Sequence, residues 1–207
     1  MRPPLPTKGL YAITPDISDT SLLLDKVEKA LISGIALLQY RDKISSASEK
    51  TYRAKAIHTL CLRHRVPLII NDDPELALAC EAEGVHLGQT DGHIQHARRL
   101  LGDNAIIGIT CHHNVALAIK AEQQGANYVA FGRFFNSSTK PGAPLATIDT
   151  LINAKKTIRI PIVAIGGITV DNVKPIINAG ANFTAVVDAL FSSKNISSMC
   201  KGFHNLF

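Results

Sequence analysis

The amino-acid sequence predicts an α/β chain folded as a single-domain (β/α)8 barrel of the TIM type. Three observations predict it: short apolar runs alternate with segments of helical spacing, the apolar runs number eight, and no Gly-rich dinucleotide fingerprint follows the first of them. The runs lie at 10–14, 35–40, 67–71, 85–87, 106–110, 128–131, 161–165 and 184–187. Most are continuously apolar, as strands are when both faces of a parallel sheet are covered. A strand–helix repeat of roughly 20–30 residues is the mark of βαβ units. Eight such units in 207 residues sit at the lower size limit of a TIM barrel. The rival fold, a doubly wound open sheet, lacks its nucleotide-binding turn here. Residues 1–207 read as one domain, with no linker or low-complexity tract.

The first strand leads to a helix over 22–33, whose Leu23, Val27, Ala30 and Leu31 share a face, with Ser21 as cap and Gly34 past its end. The second strand is followed by a helix over 48–64. The third is followed by one over 74–82, with Asp73 before Pro74 as its N-cap and Gly84 past its end. Helices at 93–101 and 115–124 follow the fourth and fifth strands and stop at Gly102 and Gly125. Glycine at those stops suits a left-handed C′ residue. After the sixth strand a polar loop leads to a helix over 148–156. The seventh strand is followed by a helix over 173–178, with Asp171 as cap and Gly180 as stop. The eighth helix, 192–207, is short, polar at its start and the weakest of the set.

Hydrophobic residues make up 46% and charged residues 19%, which suits a globular core. A net charge of +5 and a pI near 9.1 fit a small anionic partner such as a phosphate. Nucleic acid is not expected: there is no dense Lys/Arg stripe, no Trp, and only 5% aromatic residues. Cys61, Cys80, Cys111 and Cys200 have no metal or C-x-x-C spacing and read as buried, reduced thiols. The N-terminus lacks an apolar signal region, and no run is long enough to span a membrane. A cytoplasmic location is expected, and a homo-oligomer is compatible.

A barrel of this kind carries its site at the C-terminal ends of the strands. The second strand runs into Gln39-Tyr40-Arg41-Asp42-Lys43, where alternation brings Gln39, Arg41 and Lys43 to one side. Two cations and an amide there suit a diphosphate, although a solvated strand end with a local Arg–Asp pair reads equally well. The third strand ends Asn71-Asp72-Asp73, and Asp91 follows the fourth. With Asp73 taken as a cap, Asp72 and Asp91 are left on neighbouring strand ends. Mg²⁺ characteristically takes one or two carboxylates, waters and phosphate oxygens, although Asp91 also reads as a helix cap. After the sixth strand, Asn136-Ser137-Ser138-Thr139-Lys140 belongs to a polar loop that could wrap a phosphate or close over a substrate, although viewed alone it reads as a plain surface loop. Gly166-Gly167 after the seventh strand and Val187-Asp188 after the eighth fall where phosphate sites recur in such barrels. The eight histidines have no zinc-site spacing, and no nucleophile elbow or P-loop is present.

Taken in order and spacing, these strand ends resemble the thiamine-phosphate synthase family, from Tyr11-Ala12-Ile13-Thr14 through 84–91, 107–112 and 128–132 to Val187. The resemblance implies a transferase of thiamine biosynthesis. It would condense 4-amino-2-methyl-5-(diphosphooxymethyl)pyrimidine with a (carboxy)thiazole ethyl phosphate, giving thiamine phosphate and diphosphate. It implies that Gln39, Tyr40, Arg41, Asp42, Lys43, Asn71, Thr110 and Lys140 bind the pyrimidine diphosphate. Asp72 and Asp91 would hold Mg²⁺. Asn136, Ser137, Ser138, Gly167, Val187 and Asp188 would meet the thiazole phosphate. Thr110 stands where the family usually has Ser, Asn136 and Ser137 where it has Pro and Thr, and Asp188 where it has Ser. A carboxylate at 188 would repel a phosphate unless turned away or paired.

The family reaction is a dissociative substitution that needs no activated nucleophile. Arg41, Lys43 and Lys140, with Mg²⁺, would stabilise the leaving diphosphate. A thiazole tautomerase of related fold would use a proton shuttle such as His112 and would not need the Asp72/Asp91 and Arg41/Lys43 set. A non-catalytic phosphate-binding barrel and a phosphosugar isomerase are the further rivals; the last lacks a strand-end carboxylate base poised by a partner.

Overall fold

Eight parallel strands close in sequence order into a barrel in the computed structural model, which describes residues 3–136 and 144–207. The chain runs β1 (Gly9–Ile13), α1 (Thr20–Ile32), β2 (Leu37–Tyr40), α2 (Ala47–His64), β3 (Leu68–Asn71), α3 (Pro74–Ala79), β4 (Gly84–Leu87), α4 (Ile94–Leu101) and β5 (Ile106–His112). It continues through α5 (Val115–Gln123), β6 (Tyr128–Phe131), α6 (Ile148–Thr157), β7 (Ile162–Ile165), α7 (Lys174–Asn178), β8 (Phe183–Val186), α8 (Asp188–Phe191) and α9 (Ile196–His204). β8 closes on β1, with Leu10 opposite Thr184 and Ala12 opposite Val186. The (β/α)8 barrel read from the sequence is the fold.

Strand alternation splits the apolar side chains into two cores. Tyr11, Ile13, Leu37, Ile69, Ile106, Tyr128, Val163 and Phe183 fill the lumen. Their neighbours Leu10, Ala12, Leu38, Ile70, Ile107 and Val129 pack outward against the helices. Both faces of each strand are therefore dry, which is why the runs read as continuously apolar. Each fully buried Leu contributes roughly 1.5–3 kcal/mol of transfer free energy.

Two helix starts differ from expectation. Asp19, not Ser21, caps α1: its carboxylate accepts from Leu22 N at 3.0 Å, and Ser21 lies inside the first turn. Asp171 caps nothing; α7 begins at Lys174 after Val173, with Pro175 fixing its first turn. Asp73 does cap α3, accepting from Leu76 N at 2.8 Å. Gly84 is not a helix stop but the first residue of β4, where an added Cβ would overlap the Ile106 carbonyl. The final helical segment is two pieces, and α9 seats Ile196, Cys200 and Phe203 in the outer core. All four cysteines are buried and free. Among the described residues, no helix is long and apolar enough to cross a membrane.

Candidate active site

In strands β2 to β5 the inward series changes from apolar to polar toward the C-terminal rim. Leu37 is followed two residues on by Gln39, Ile69 by Asn71, and Gly108 by Thr110, with His86 on β4 between them. Gln39, Arg41, Asn71, His86 and Thr110 line a cavity of about 490 Å³ above the lumen. β2 ends at Tyr40, so the alternation expected to carry Lys43 to the same side stops short. Lys43 instead lines a neighbouring depression of about 520 Å³ together with Tyr40 and Asp42. Asn71, Asp72 and Asp91 line both spaces and form the wall between them.

The cations are held from the β1 side. The Thr14 hydroxyl donates to the Arg41 carbonyl and accepts its N–H, both at 2.9 Å, which pins the Arg41 backbone to β1. Arg41 Nη1 donates to Asp16 Oδ2 at 3.0 Å, and Lys43 N donates to Asp16 Oδ1 at 2.8 Å. Arg41 Nε is buried and has no partner among the described residues. That leaves a guanidinium N–H unspent beside the cavity, a group that costs free energy until something accepts from it.

Asp42 turns away from the cavity above the lumen. Its Oδ2 accepts from buried Arg53 at 3.1 Å and from the Tyr40 phenol at 2.9 Å, and its Oδ1 accepts from Ile44 N and Ser45 N. Burial pushes the Asp42 carboxyl up, but hydrogen bonds from Ser45, Tyr40 and Ile44 outweigh that and bring it down to about 2. Arg53 also reaches the carbonyls of Ile17 and Ser18 and the Thr20 hydroxyl. It thereby ties the loop after β1 to the loop after β2.

Asp72 sits just past β3 at φ 65°. Its N–H donates to the His86 carbonyl at 2.8 Å, and its Oδ2 accepts from Lys43 Nζ at 2.8 Å and Asn71 Nδ2 at 2.6 Å. Burial raises its carboxyl, yet the Lys43 bond and charge, with the bond from Asn71, hold it below the usual carboxylate range. Asp91, whose Oδ2 accepts from Gly88 N at 2.9 Å, lines the same two spaces as Asp72. Two carboxylates that line one polar depression match the donor set Mg²⁺ takes when phosphate and water complete its shell. Among the described residues, no group of three or more His, Cys, Asp or Glu could hold a metal ion, so an all-protein cage is not on offer.

Across the cavity, Gly166 and Gly167 turn at φ 105° and 65°, and a Cβ at Gly167 would overlap the Asn136 carbonyl. Gly167, Asn136, Val187 and Asp188 line the cavity wall opposite Gln39 and Arg41. Asn136 Oδ1 accepts from Arg133 Nη1 at 3.2 Å, and Asp188 is not without a partner. Ser137, Ser138 and Lys140 lie outside the described residues.

Sequence reasoning missed Asp16, Arg53 and a buried polar chain beneath the cavity. Asp16 stands three residues past β1 on the functional rim, and that position alone was signal enough to find it. In the polar chain, Gln39 Nε2 donates to Tyr11 Oη at 2.8 Å, and the hydroxyls of Tyr11 and Tyr128 lie 2.8 Å apart. His86 meets Tyr128 Oη through Nδ1 at 3.0 Å and Thr110 Oγ1 through Nε2 at 2.8 Å.

With this geometry in hand, comparison with known proteins gives a consistent result. A family model described as thiamine monophosphate synthase matches residues 10–190. Thiamine-phosphate synthase of Marinobacter nauticus is 52% identical over 202 residues, covering 96% of this chain and 90% of the relative. That of Methylobacillus flagellatus is 50% identical over 202 residues, covering 98% and 96%. The solved structure of thiamine phosphate pyrophosphorylase from Pyrococcus furiosus superposes with a TM-score of 0.85 at 28% identity, covering 97% of this chain and 95% of that one.

Proposed function

The chain belongs to the thiamine monophosphate synthase family, and from that premise we propose how it carries out thiamine phosphate synthesis. The C–O bond of the pyrimidine methylene breaks first, and its electron pair leaves with the diphosphate. The thiazole ring nitrogen then donates its lone pair to the resulting pyrimidinylmethyl cation, forming the C–N bond. Asp72 and Asp91 would hold Mg²⁺, which would supply charge neutralisation for the departing diphosphate.

The residues of this chain do the remaining work. Arg41 Nε offers a hydrogen bond to an incoming phosphate oxygen. Lys43, 2.8 Å from Asp72 in the depression they both line, is the second cation for the diphosphate. Lys140 is the third cation of this reading. Gln39, Asn71 and Thr110 hold the pyrimidine, and Asn136, Gly167 and the backbone after β8 hold the thiazole phosphate, with Ser137 and Ser138. Tyr40 and Asp42 act by fixing the loop that carries Arg41 and Lys43. Holding both substrates in one mouth supplies proximity. No general base is required, since the nucleophile is a neutral ring nitrogen.

The observation that carries the reading is that Asp72 and Asp91 line one depression with Lys43, whose Nζ lies 2.8 Å from Asp72. A cytoplasmic location belongs to the same proposal, supported by soluble phosphate substrates and four unpaired thiols. The test is an assay with both substrates, scored for diphosphate release with and without Mg²⁺. Release that needs both substrates and the metal supports the synthase. Conversion of the thiazole alone would point to a tautomerase, and binding without conversion to a non-catalytic barrel.

A further inference from the structure

Two side chains assigned above to the pyrimidine, Gln39 and Thr110, stand on strands β2 and β5, yet they are joined under the cavity. The links run Gln39, Tyr11, Tyr128, His86, Thr110, each between 2.8 and 3.0 Å. Tyr11 and Tyr128 are 1% and 0% exposed, and burial pushes both phenols upward, so each stays a neutral O–H with one proton to give. Gly108 makes the path: a Cβ there would overlap the Tyr128 ring. The rings pack closely, Tyr11 edge-on to Tyr128 at 6.0 Å and His86 stacked on it at 5.5 Å.

A chain of single-proton links has a direction. Gln39 Nε2 donates to Tyr11; the order that leaves no buried phenol O–H unspent among the described residues has Tyr11 donating to Tyr128 and Tyr128 to His86 Nδ1. His86 then carries its proton on Nε2 and donates to Thr110 Oγ1. Gln39 is left with a carbonyl oxygen, and Thr110 with a hydroxyl proton, both on the cavity wall. Reversing either end requires every link to invert together in a dry interior, where an unmatched donor or acceptor is expensive.

We propose that Tyr11, Tyr128 and His86 are positioning residues that fix the hydrogen-bond polarity of the cavity, an acceptor at Gln39 and a donor at Thr110. The cavity therefore selects a heterocycle offering an amino N–H to Gln39 and a ring-nitrogen lone pair to Thr110. It rejects the same ring carrying an oxo group and N–H, whose polarity is opposite. The proposal rests on the pyrimidine reading above and adds the device that enforces it.

The test compares kcat/KM for the 4-amino pyrimidine diphosphate and its 4-oxo analogue in the intact protein, the Tyr128→Phe variant and the Tyr11→Phe variant. Each variant keeps the ring and removes one link, which frees Gln39 or Thr110 to reverse. The amino-over-oxo preference is expected to fall by about tenfold or more in each, one lost directed hydrogen bond. Tyr52→Phe, on the exposed face of α2, is expected to keep the preference, and loss of stability alone would lower both rates without changing their ratio. An intact protein that turns over the amino substrate, with either folded variant as selective as the parent, overturns the relay. An intact protein that turns over neither substrate overturns the pyrimidine reading and the relay with it.

Discussion

Asp72 holds its left-handed φ of 65° because three partners over-determine it: its N–H on His86, and Lys43 and Asn71 on its carboxylate. Such a backbone costs on the order of 1 kcal/mol for a residue with a Cβ, and it goes with a carboxylate on the wall that Asp91 also lines. Asp72→Ala is expected to abolish Mg²⁺-dependent turnover and leave the fold intact. Its far-UV circular dichroism should match the parent, since a pair with Lys43 side chain 49% exposed contributes about 0–1 kcal/mol. Normal turnover in that variant would rule out the metal role. Asp42 makes the opposite case, a carboxylate whose work is structural. Its carboxyl lies at about 2 when folded against 3.8 ordinarily, a difference of roughly 2 kcal/mol favouring the ionised folded form. Because the folded value is depressed, that stability is full above pH 4 and is lost as pH falls through 2. Asp42→Asn should therefore unfold in less urea at pH 7, by roughly 2 kcal/mol, with the gap closing between pH 4 and pH 2. A gap that stays constant down to pH 2 would mean the charge of Asp42 is not what the loop depends on.

At the scale of the element, glycine does two different jobs that read alike in sequence. Gly102 ends α4 at φ 88° with open space where a Cβ would go, whereas Gly84 starts β4 with the Ile106 carbonyl in that space. Gly102→Ala should cost about 1–2 kcal/mol from backbone conformation alone. Gly84→Ala should cost more than that, because β4 and β5 must separate to admit the methyl. Urea titrations of the two variants give the order, and a larger loss at Gly102 would contradict close approach at Gly84. The same ambiguity explains what the sequence could reveal. Strands were legible because burial on both faces leaves a continuous apolar run, and Asp73-Pro74 was legible because the cap and the helix it starts are adjacent. Ser21 failed because Asp19 and Ser21 are both competent caps, and only the entry angle of the chain decides between them. Asp72 and Asp91 were expected on neighbouring strand ends, and both line the same two spaces. Lys43 did not join Gln39 and Arg41, because β2 ends at Tyr40 and alternation says nothing past a strand end. Arg53 and the Tyr11–Tyr128 contact, 117 residues apart, were not legible at all: their partners are set by closure of the barrel, which leaves no local pattern.

At the scale of the whole molecule, the site exists only if the barrel is closed, since its walls come from both ends of the chain: Gln39 and Asn71 near one end, Gly167 and Val187 near the other. A ligand that spans these walls binds the closed barrel and not a fragment of it, and stabilises the native state by RT ln(1 + [L]/Kd), about 2.7 kcal/mol at a hundredfold excess over Kd. Mg²⁺ and diphosphate together should raise the urea midpoint more than the sum of their separate effects, because each supplies what the other needs at Asp72 and Arg41. The protein carries its own probes for whether this gain is global. It has no Trp and four Tyr. Tyr11 and Tyr128 lie in the lumen and Tyr40 beside the loop after β2, all buried. With the exposed Tyr52 of α2 replaced by Phe, tyrosine fluorescence reports buried positions, two of the three in the lumen, while far-UV circular dichroism reports mainly the surrounding helices. Chains of this length often unfold through intermediates, so coincidence of the two signals is not guaranteed by size alone. If ligand and lumen are coupled through the closed sheet, both transitions should coincide and shift by the same amount when Mg²⁺ and diphosphate are added. A shift in the tyrosine signal that leaves the helical signal behind would mean that the ligand stabilises the lumen separately from the helical shell, and that the site needs less than the whole barrel.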